Sequence, residues 1–463
     1  LNGQLPLATE ISEGFFSMSV SRRSFVKAVG AVSTGLPFTA PGILSARSPG
    51  EKLNIAAIGV GGRGWSDVNS ASQGHNLVAF CDVLTGVSTR KGGYTEAAKK
   101  WPKARRYQDW RKLLDESRDI DAVTISTPDH MHALPTLAAM RLGKHVFTQK
   151  PLTHTIHESR ALLLEARRSG VATQMGIQNQ SLVGHRTTAA LIRAGLIGKI
   201  KEAHGWSHKG WAGPKAGRPS RPDAIPKGLD WDLWLGVAPG RPYANKIYQP
   251  MNWRGWLDFG SGTLGDMGIH ILEPMVSSLD VGPPVSVKSL GLPPNPETWQ
   301  PANTIQYEFT GNQYTAKDIF PYVWRDGKAG RPPLSTSEHL PADLKLPGQG
   351  TLFVGEKGAI IHPHGGSPMV FPVDLLTGFD IPTIEKRGHY DSWREAIRTG
   401  KPACASFDFS APLTETVLLG NIAVRFPNEK LEWNTRDLRF TNNDKANVFV
   451  RSEYRKAWQT EGL

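Results

Sequence analysis

The stretch Lys52-Leu-Asn-Ile-Ala-Ala-Ile-Gly-Val-Gly-Gly-Arg-Gly64 decides the fold. Leu53 to Ala57 is a short, mostly apolar run that reads as a buried strand, and Ile58 leads directly into glycine. Gly59, Gly61 and Gly64 then fall at the spacing G-x-G-x-x-G, with Gly62 and Arg63 inside the same turn. The first glycine permits a tight turn, the second lets the backbone approach a pyrophosphate, and the third allows the next helix to pack closely on the strand. Free N–H groups at that helix start, with the helix dipole, are expected to hold phosphates. A second strand, Asn76 to Asp82, ends in an acid eighteen residues after Gly64. A carboxylate there suits the ribose hydroxyls and would repel a 2′-phosphate, so NAD is favoured over NADP. Arg63 is within reach of a phosphate, which softens that preference.

Working outward, the chain of 463 residues is long enough for two domains with full cores. No apolar run reaches the length of a membrane span. The formal net charge of +12 raises a nucleic-acid reading, but the basic residues are scattered and no nucleic-acid motif is present. The two cysteines, Cys81 and Cys404, form no disulfide or zinc framework, and the 14 histidines include no H-E-x-x-H, so no metal is expected.

Upstream, Ser21-Arg22-Arg23-Ser24-Phe25-Val26-Lys27 followed by a mildly apolar run to Ala40 looks like a twin-arginine leader. Residues 1–50 are therefore expected to be leader and linker, the translocase a partner, and the mature protein periplasmic or otherwise exported. Such leaders pass folded, cofactor-loaded proteins. A nicotinamide carried across is then expected to stay tightly bound and to be regenerated within each cycle.

Downstream, strands and helices alternate to about residue 177, which predicts a doubly wound parallel sheet over residues 51–177. A helix is expected from Val87 to Trp101. Strand ends near Thr127, Pro128, His130, His132, Gln149 and Lys150 should border the ligand crevice. From residue 178 the rhythm weakens, and residues 178–463 read as a second, α+β domain. Strands near Val285–Leu290, Thr304–Phe309 and Thr351–His362 suggest a mostly antiparallel sheet, and Pro321 to Gly350 reads as a long loop. The final helices are expected to pack back on the first domain.

The order Gly59-Val-Gly-Gly-Arg-Gly64, Thr127-Pro-Asp-His-Met-His132, Gln149-Lys-Pro151 and Gly262-Thr-Leu-Gly-Asp-Met-Gly-Ile-His270 resembles the Gfo/Idh/MocA oxidoreductases. The resemblance runs from about residue 52 almost to the C-terminus. It implies a Rossmann domain, a second domain whose sheet often forms an oligomer interface, and a carbohydrate or polyol substrate. It also implies that Lys150 contacts substrate and nicotinamide ribose, and that Asp266 and His270 lie near the reacting ring carbon, the histidine moving the hydroxyl proton. The family usually has E-K-P, so Gln149 stands where glutamate is expected.

Asp266 and His270 are four apart and would share a helical face; read without the family, Asp266 is equally an N-cap and His270 a core histidine. Trp206, Trp211, Trp231, Trp234, Tyr248, Trp253 and Trp256 crowd one stretch, where their faces could stack on sugar rings or simply pack a loop-rich region. Arg254 and Trp256 are the expected substrate contacts beside Lys150 and His270. The leading expectation is a hydride transfer between a sugar or polyol hydroxyl and a captive NAD. A second is a redox-neutral glycosidase using transient oxidation and elimination, like family 109 glycosidases, which lack the G-D-M-G-x-H arrangement. A third, resting only on Gln149, is a sugar-binding protein without turnover.

Overall fold

The computed structural model of the chain describes residues 51–463; the segment read as a leader lies outside the described residues. Six parallel strands, β1 (Asn54–Ile58), β2 (Asn76–Cys81), β3 (Arg105–Tyr107), β4 (Ala122–Ile125), β5 (His145–Thr148) and β6 (Thr173–Met175), stand in the order 3-2-1-4-5-6. Their centres are apolar on both faces because helices cover both sides. The order reverses between β1 and β4, and a crevice for a ligand opens there at the carboxyl ends of the strands.

The helix Arg63–Ala71 follows the glycine turn and buries Gly64, Asp67, Val68 and Ala71 on one face. A Cβ on Gly64 would collide with the carbonyl oxygen of Gly59, so helix and strand meet at a distance only glycine allows. The expected helix from Val87 to Trp101 is shorter, Tyr94–Lys100. Gly92 and Gly93 take positive φ (77° and 107°), and the chain before them runs as a loop across the glycine turn. There Gly62 N donates to Lys91 O at 2.8 Å and Gly93 N to Val60 O at 3.0 Å.

The second sheet has nine strands, β7 (Ile200–Ser207), β8 (Ser286–Ser289), β9 (Thr304–Thr310), β10 (Ile319–Asp326), β11 (Gln349–Gly355), β12 (Ala359–Pro363), β13 (Met369–Phe371), β14 (Lys430–Asn434) and β15 (Arg439–Phe440). Their order is 13-12-11-7-10-9-8-14-15, antiparallel except for β7 beside β10. Two expectations are corrected here. The segment read as a loop from Pro321 begins inside β10, whose alternating Phe320, Tyr322 and Trp324 enter the core and outweigh the proline. The run Thr351–His362 is a hairpin of two strands, turned at Glu356-Lys-Gly.

The helix Phe407–Ala423 packs along Ile156–Ser169, with Ser159 Oγ donating to Ala411 O and Leu152 N to Thr414 Oγ1. The latter helix is fixed at its start by a reciprocal cap between Thr155 and Glu158. No helix among the described residues is long and apolar enough to cross a membrane.

Candidate active site

At the dinucleotide end, Gly59 (φ 82°) turns the chain, and a Cβ there would lie 2.5 Å from Ser126 O. The Asp82 carboxylate, following β2, accepts Val60 N and Leu84 N at 3.1 Å each and also binds the Gly61 amide. Burial raises the Asp82 pKa, with those amides offsetting part of the effect. The carboxylate therefore braces the turn from inside. The helix has Gly62 at its N-cap, and no side chain accepts a hydrogen bond from its first amides. The plain reading of the turn as a ring of free amides is narrowed, because the Val60, Gly61 and Gly62 amides already have acceptors. Strand, turn, closely packed helix and β2 carboxylate nonetheless fit a dinucleotide.

One turn into the helix lies Asp67, a fully buried carboxylate that belongs to none of the motifs named above. It accepts Ser126 Oγ at 2.7 Å, Gln149 Nε2 at 2.8 Å and Tyr390 Oη at 2.6 Å, and pairs with Arg63 Nε at 3.0 Å. Arg63 also donates to Tyr390 Oη at 3.0 Å. Its guanidinium is thus drawn to Asp67 and Tyr390, away from the phosphate role considered for it. Tyr390 opens the helix His389–Thr399 and stacks on Phe147 of β5 at 5.0 Å. An acid on the buried stripe Gly64, Asp67, Val68, Ala71 was the available sequence signal, since such a carboxylate must find donors.

The motif Thr127-Pro-Asp-His-Met-His132 is scaffolding for the crevice wall. Thr127 Oγ1 donates to Met131 O, and the His132 ring bridges Pro151 O (2.7 Å) and Thr127 O (2.9 Å). Burial lowers the His132 pKa, so the ring is neutral and donates its single N–H to one of these two carbonyls while packing against the other. His130, between Phe259 O and Trp234 O, is lowered by burial to about 3. Asp129 receives Ser261 N at 3.0 Å and holds the start of the next active-site segment.

That segment brings up the remaining groups. Leu264–Gly268 forms a π-helical turn leading into the α-helix Ile269–Leu279. The simple α-helical i, i+4 relation expected for Asp266 and His270 is therefore replaced by a wider turn, of the kind that recurs at functional sites. Lys150 Nζ, at the end of β5, lies 2.7 Å from both Asp266 O and Asp266 Oδ1. Trp211 Nε1 donates to Asp266 Oδ2 at 2.5 Å and Arg254 Nε to Oδ1 at 3.2 Å. Burial works against the Asp266 charge, but the Lys150 and Arg254 cations hold its pKa far below the carboxylate range. Burial lowers Lys150 while Asp266 opposes it. The two directions pull oppositely on the pair; contacts of 2.7 Å to a carboxylate and a carbonyl favour the ammonium.

His270 is half-buried, and its Nδ1 is buried without a hydrogen-bond partner among the described residues. Burial, then Lys150 and His364, push its pKa well below the ordinary histidine range. The ring is neutral at physiological pH and able to accept a proton. His364, from the segment after β12, packs 5.3 Å from it and accepts Asn179 Nδ2 at 2.9 Å on Nδ1. No local pattern marked His364, because it meets His270 only through the folding of the second sheet.

The aromatic stretch divides. Trp231, Trp234, Tyr248 and Trp256 form a cluster of their own, and Trp206 packs under β11 and β12. Trp256 is fully buried, with Nε1 donating to Ile247 O at 3.2 Å, so it backs the wall and does not face a substrate. Trp211 and Trp253 remain, flanking the Arg254 guanidinium at 5.5 and 4.3 Å. The structure thus joins Lys150, Asp266, His270 and Arg254, adds Trp211 and His364, and removes Trp256. The joined set offers a carboxylate clamped by cations, an ammonium and a neutral imidazole at the crevice, a combination suited to moving a proton on and off a hydroxyl.

Comparison with known proteins places this arrangement. The profile described as oxidoreductase family, NAD-binding Rossmann fold, matches residues 53–177, and that of the oxidoreductase family C-terminal alpha/beta domain matches residues 186–311. A levoglucosan dehydrogenase of Pseudarthrobacter phenanthrenivorans is 26% identical over 178 residues, 38% of this chain and 37% of the relative. An alpha-N-acetylgalactosaminidase of Shewanella oneidensis is 31% identical over 208 residues, 39% of this chain and 44% of the relative. The chain therefore spans less than half the length of these curated relatives. Among solved structures, the WlbA dehydrogenase from Bordetella pertussis in complex with NADH and UDP-GlcNAcA superposes with a TM-score of 0.57 at 15% identity, covering 83% of this chain and 98% of the other. An aldose-aldose oxidoreductase from Caulobacter crescentus gives 0.51 at 16% identity, covering 83% and 100%. These two share the fold. With two successive domain profiles of one family matched in order over more than half of its residues, the chain belongs to the Gfo/Idh/MocA oxidoreductase family, with an NAD-binding Rossmann fold.

Proposed function

We propose that the protein is an exported oxidoreductase acting on a hydroxyl of a sugar or polyol, with NAD held tightly at the crevice. The observation that carries this reading is the convergence of Lys150, Asp266 and neutral His270 where β5 ends beside the glycine turn. A bound nicotinamide supplies the acceptor and donor of hydride. His270, as the neutral imidazole, takes the hydroxyl proton. Lys150 and Arg254 orient the substrate oxygen and balance the charge that develops on it, while Asp266 keeps both cations in place. Asp82, at the end of β2, supports NAD over NADP. Export rests on Ser21-Arg22-Arg23 and the run that follows. A homo-oligomer through the second sheet follows from the family resemblance.

A second reading is favoured by similarity to glycosyl hydrolase family 109 proteins of Shewanella, 32% identical over 175 residues in one case. In that reading a hydroxyl two carbons from the glycosidic carbon would be oxidised, and the C–H between them would lose its proton as the glycosidic oxygen leaves. Water would add to the double bond so formed, and return of the hydride would restore the hydroxyl. Mass spectrometry of the purified protein for a co-purifying dinucleotide, then absorbance at the reduced-nicotinamide band with a carbohydrate panel, tests the first reading. Reducing ends released in stoichiometric amounts without added cofactor select the second. A protein that neither carries nor takes up NAD refutes both.

A further inference from the structure

We propose that Asp67 is the positioning residue of the cofactor end of this site, and that Gln149 is matched to it. In this chain the family's E-K-P acid is exchanged for an amide because the carboxylate sits on the facing helix. The Asp67 hydrogen bonds tie four elements together: its own helix through Arg63, β4 through Ser126, β5 through Gln149, and the helix His389–Thr399 through Tyr390.

The orientation of the Gln149 amide follows from the charge on Asp67. An ionised carboxylate only accepts, so Nε2 must face it, which turns Oε1 toward the Lys150 amide at 3.4 Å. A Cβ on Gly176 would overlap the Gln149 amide, so the backbone of Gly176 packs directly against that side chain. The corner that presents Lys150 is therefore held by a side chain with one permitted orientation. A glutamate at position 149 would set two carboxylates at hydrogen-bond distance in a site closed to water, and one would have to keep a proton. The charged or titratable groups facing Asp67 are Arg63 on its own helix and Tyr390 from the helix His389–Thr399; Lys150 adjoins Gln149. Arg63 alone offsets one negative charge, not two.

This gives Gln149 a fitted role in a working site, where its presence alone suggested a site without turnover. The cofactor part rests on the NAD reading above; the pairing does not. The test is a charge-exchange cycle: wild type, Gln149→Glu, Asp67→Asn, and the double variant. In the double variant the amide now on the helix donates to the carboxylate now on β5, and the cluster keeps one negative charge. Each protein is assayed by thermal melts and by NADH fluorescence titration from about pH 5 to about pH 8. The raised carboxyl of Gln149→Glu carries a proton in the folded state that the unfolded state has lost, so its Tm falls as pH rises. Its Kd for NADH rises by up to about tenfold per pH unit, the limit for one linked proton. The double variant returns toward wild type in both and loses the pH slope. A double variant no better than Gln149→Glu, or a Gln149→Glu protein indistinguishable from wild type, overturns the pairing. Melts that follow the cycle while NADH affinity stays constant overturn the positioning role. A wild type that binds no NADH sinks the oxidoreductase reading instead, and the melts still decide the pair.

Discussion

Replacing Asp266 by asparagine isolates the charge at the centre of the site. Its carboxylate receives Lys150 at 2.7 Å, Arg254 at 3.2 Å and Trp211 at 2.5 Å, and the Lys150 and Asp266 side chains are only 14% and 11% exposed. A solvent-exposed pair contributes about 0–1 kcal/mol, whereas removing one partner of a buried pair costs about 3–5 kcal/mol. This pair retains slight solvent access, and Lys150 keeps the Asp266 main-chain carbonyl at 2.7 Å in the variant. The expected cost is therefore near the lower limit, about 3 kcal/mol at neutral pH. With an unfolding entropy of about 2 cal/mol/K per residue, that is a Tm decrease of about 3–4 °C for a chain of this size. The sign of the pH dependence follows from Asp266 being held below its ordinary value. Its contribution is complete above about pH 5 and declines below it by up to about 1.4 kcal/mol per unit, as the carboxylate of the unfolded chain takes a proton while the folded one stays ionised. Denaturant titrations of both proteins between about pH 8 and about pH 3.5 measure the difference. A cost below about 1 kcal/mol at neutral pH, or one that does not shrink in acid, would show that the cations are not held by this carboxylate.

Other consequences are open to measurement. His270→Ala lowers kcat/KM by about 10²–10⁴, as expected for a proton-transfer group, with the fold intact by circular dichroism. In the wild type the acid limb of kcat/KM lies below the ordinary histidine pKa of about 6.5; Lys150→Met removes one of the cations that depress His270 and moves the residual limb to higher pH. Gly64→Ala drives a methyl group into Gly59 O and costs more than about 3 kcal/mol or the soluble fold itself, read by expression and melting. Trp211→Phe keeps the ring but removes the N–H to Asp266, which costs about 1–2 kcal/mol in a denaturant titration; an unchanged midpoint would argue that this bond is replaced by water.

The N-terminal half was legible because its determinants are local. A short, mostly apolar run, glycines at fixed spacing and an acid at the end of the next strand can form one arrangement, and β1, the turn, the helix Arg63–Ala71 and β2 take it. Alternation of short strands with helices likewise implied the parallel sheet. Lys150, Asp266 and His270 could be named because Gln149-Lys-Pro151 and Gly265-Asp-Met-Gly-Ile-His270 resemble the family's motifs; their own residue types and spacing left an N-cap and a core histidine equally open. The sequence alone did not determine which neighbours those groups would meet. The Asp67 cluster joins residues 63, 67, 126, 149 and 390, and His270 meets His364, through contacts across sheets and helices that leave no periodic trace. Tertiary packing also decided that Trp256 is wall and not contact, and that β10 exists despite Pro321. The physical reason is common to all of these: turn and strand preferences act over a few residues, whereas burial makes a charge or an indole N–H find partners wherever the fold brings donors and acceptors into reach.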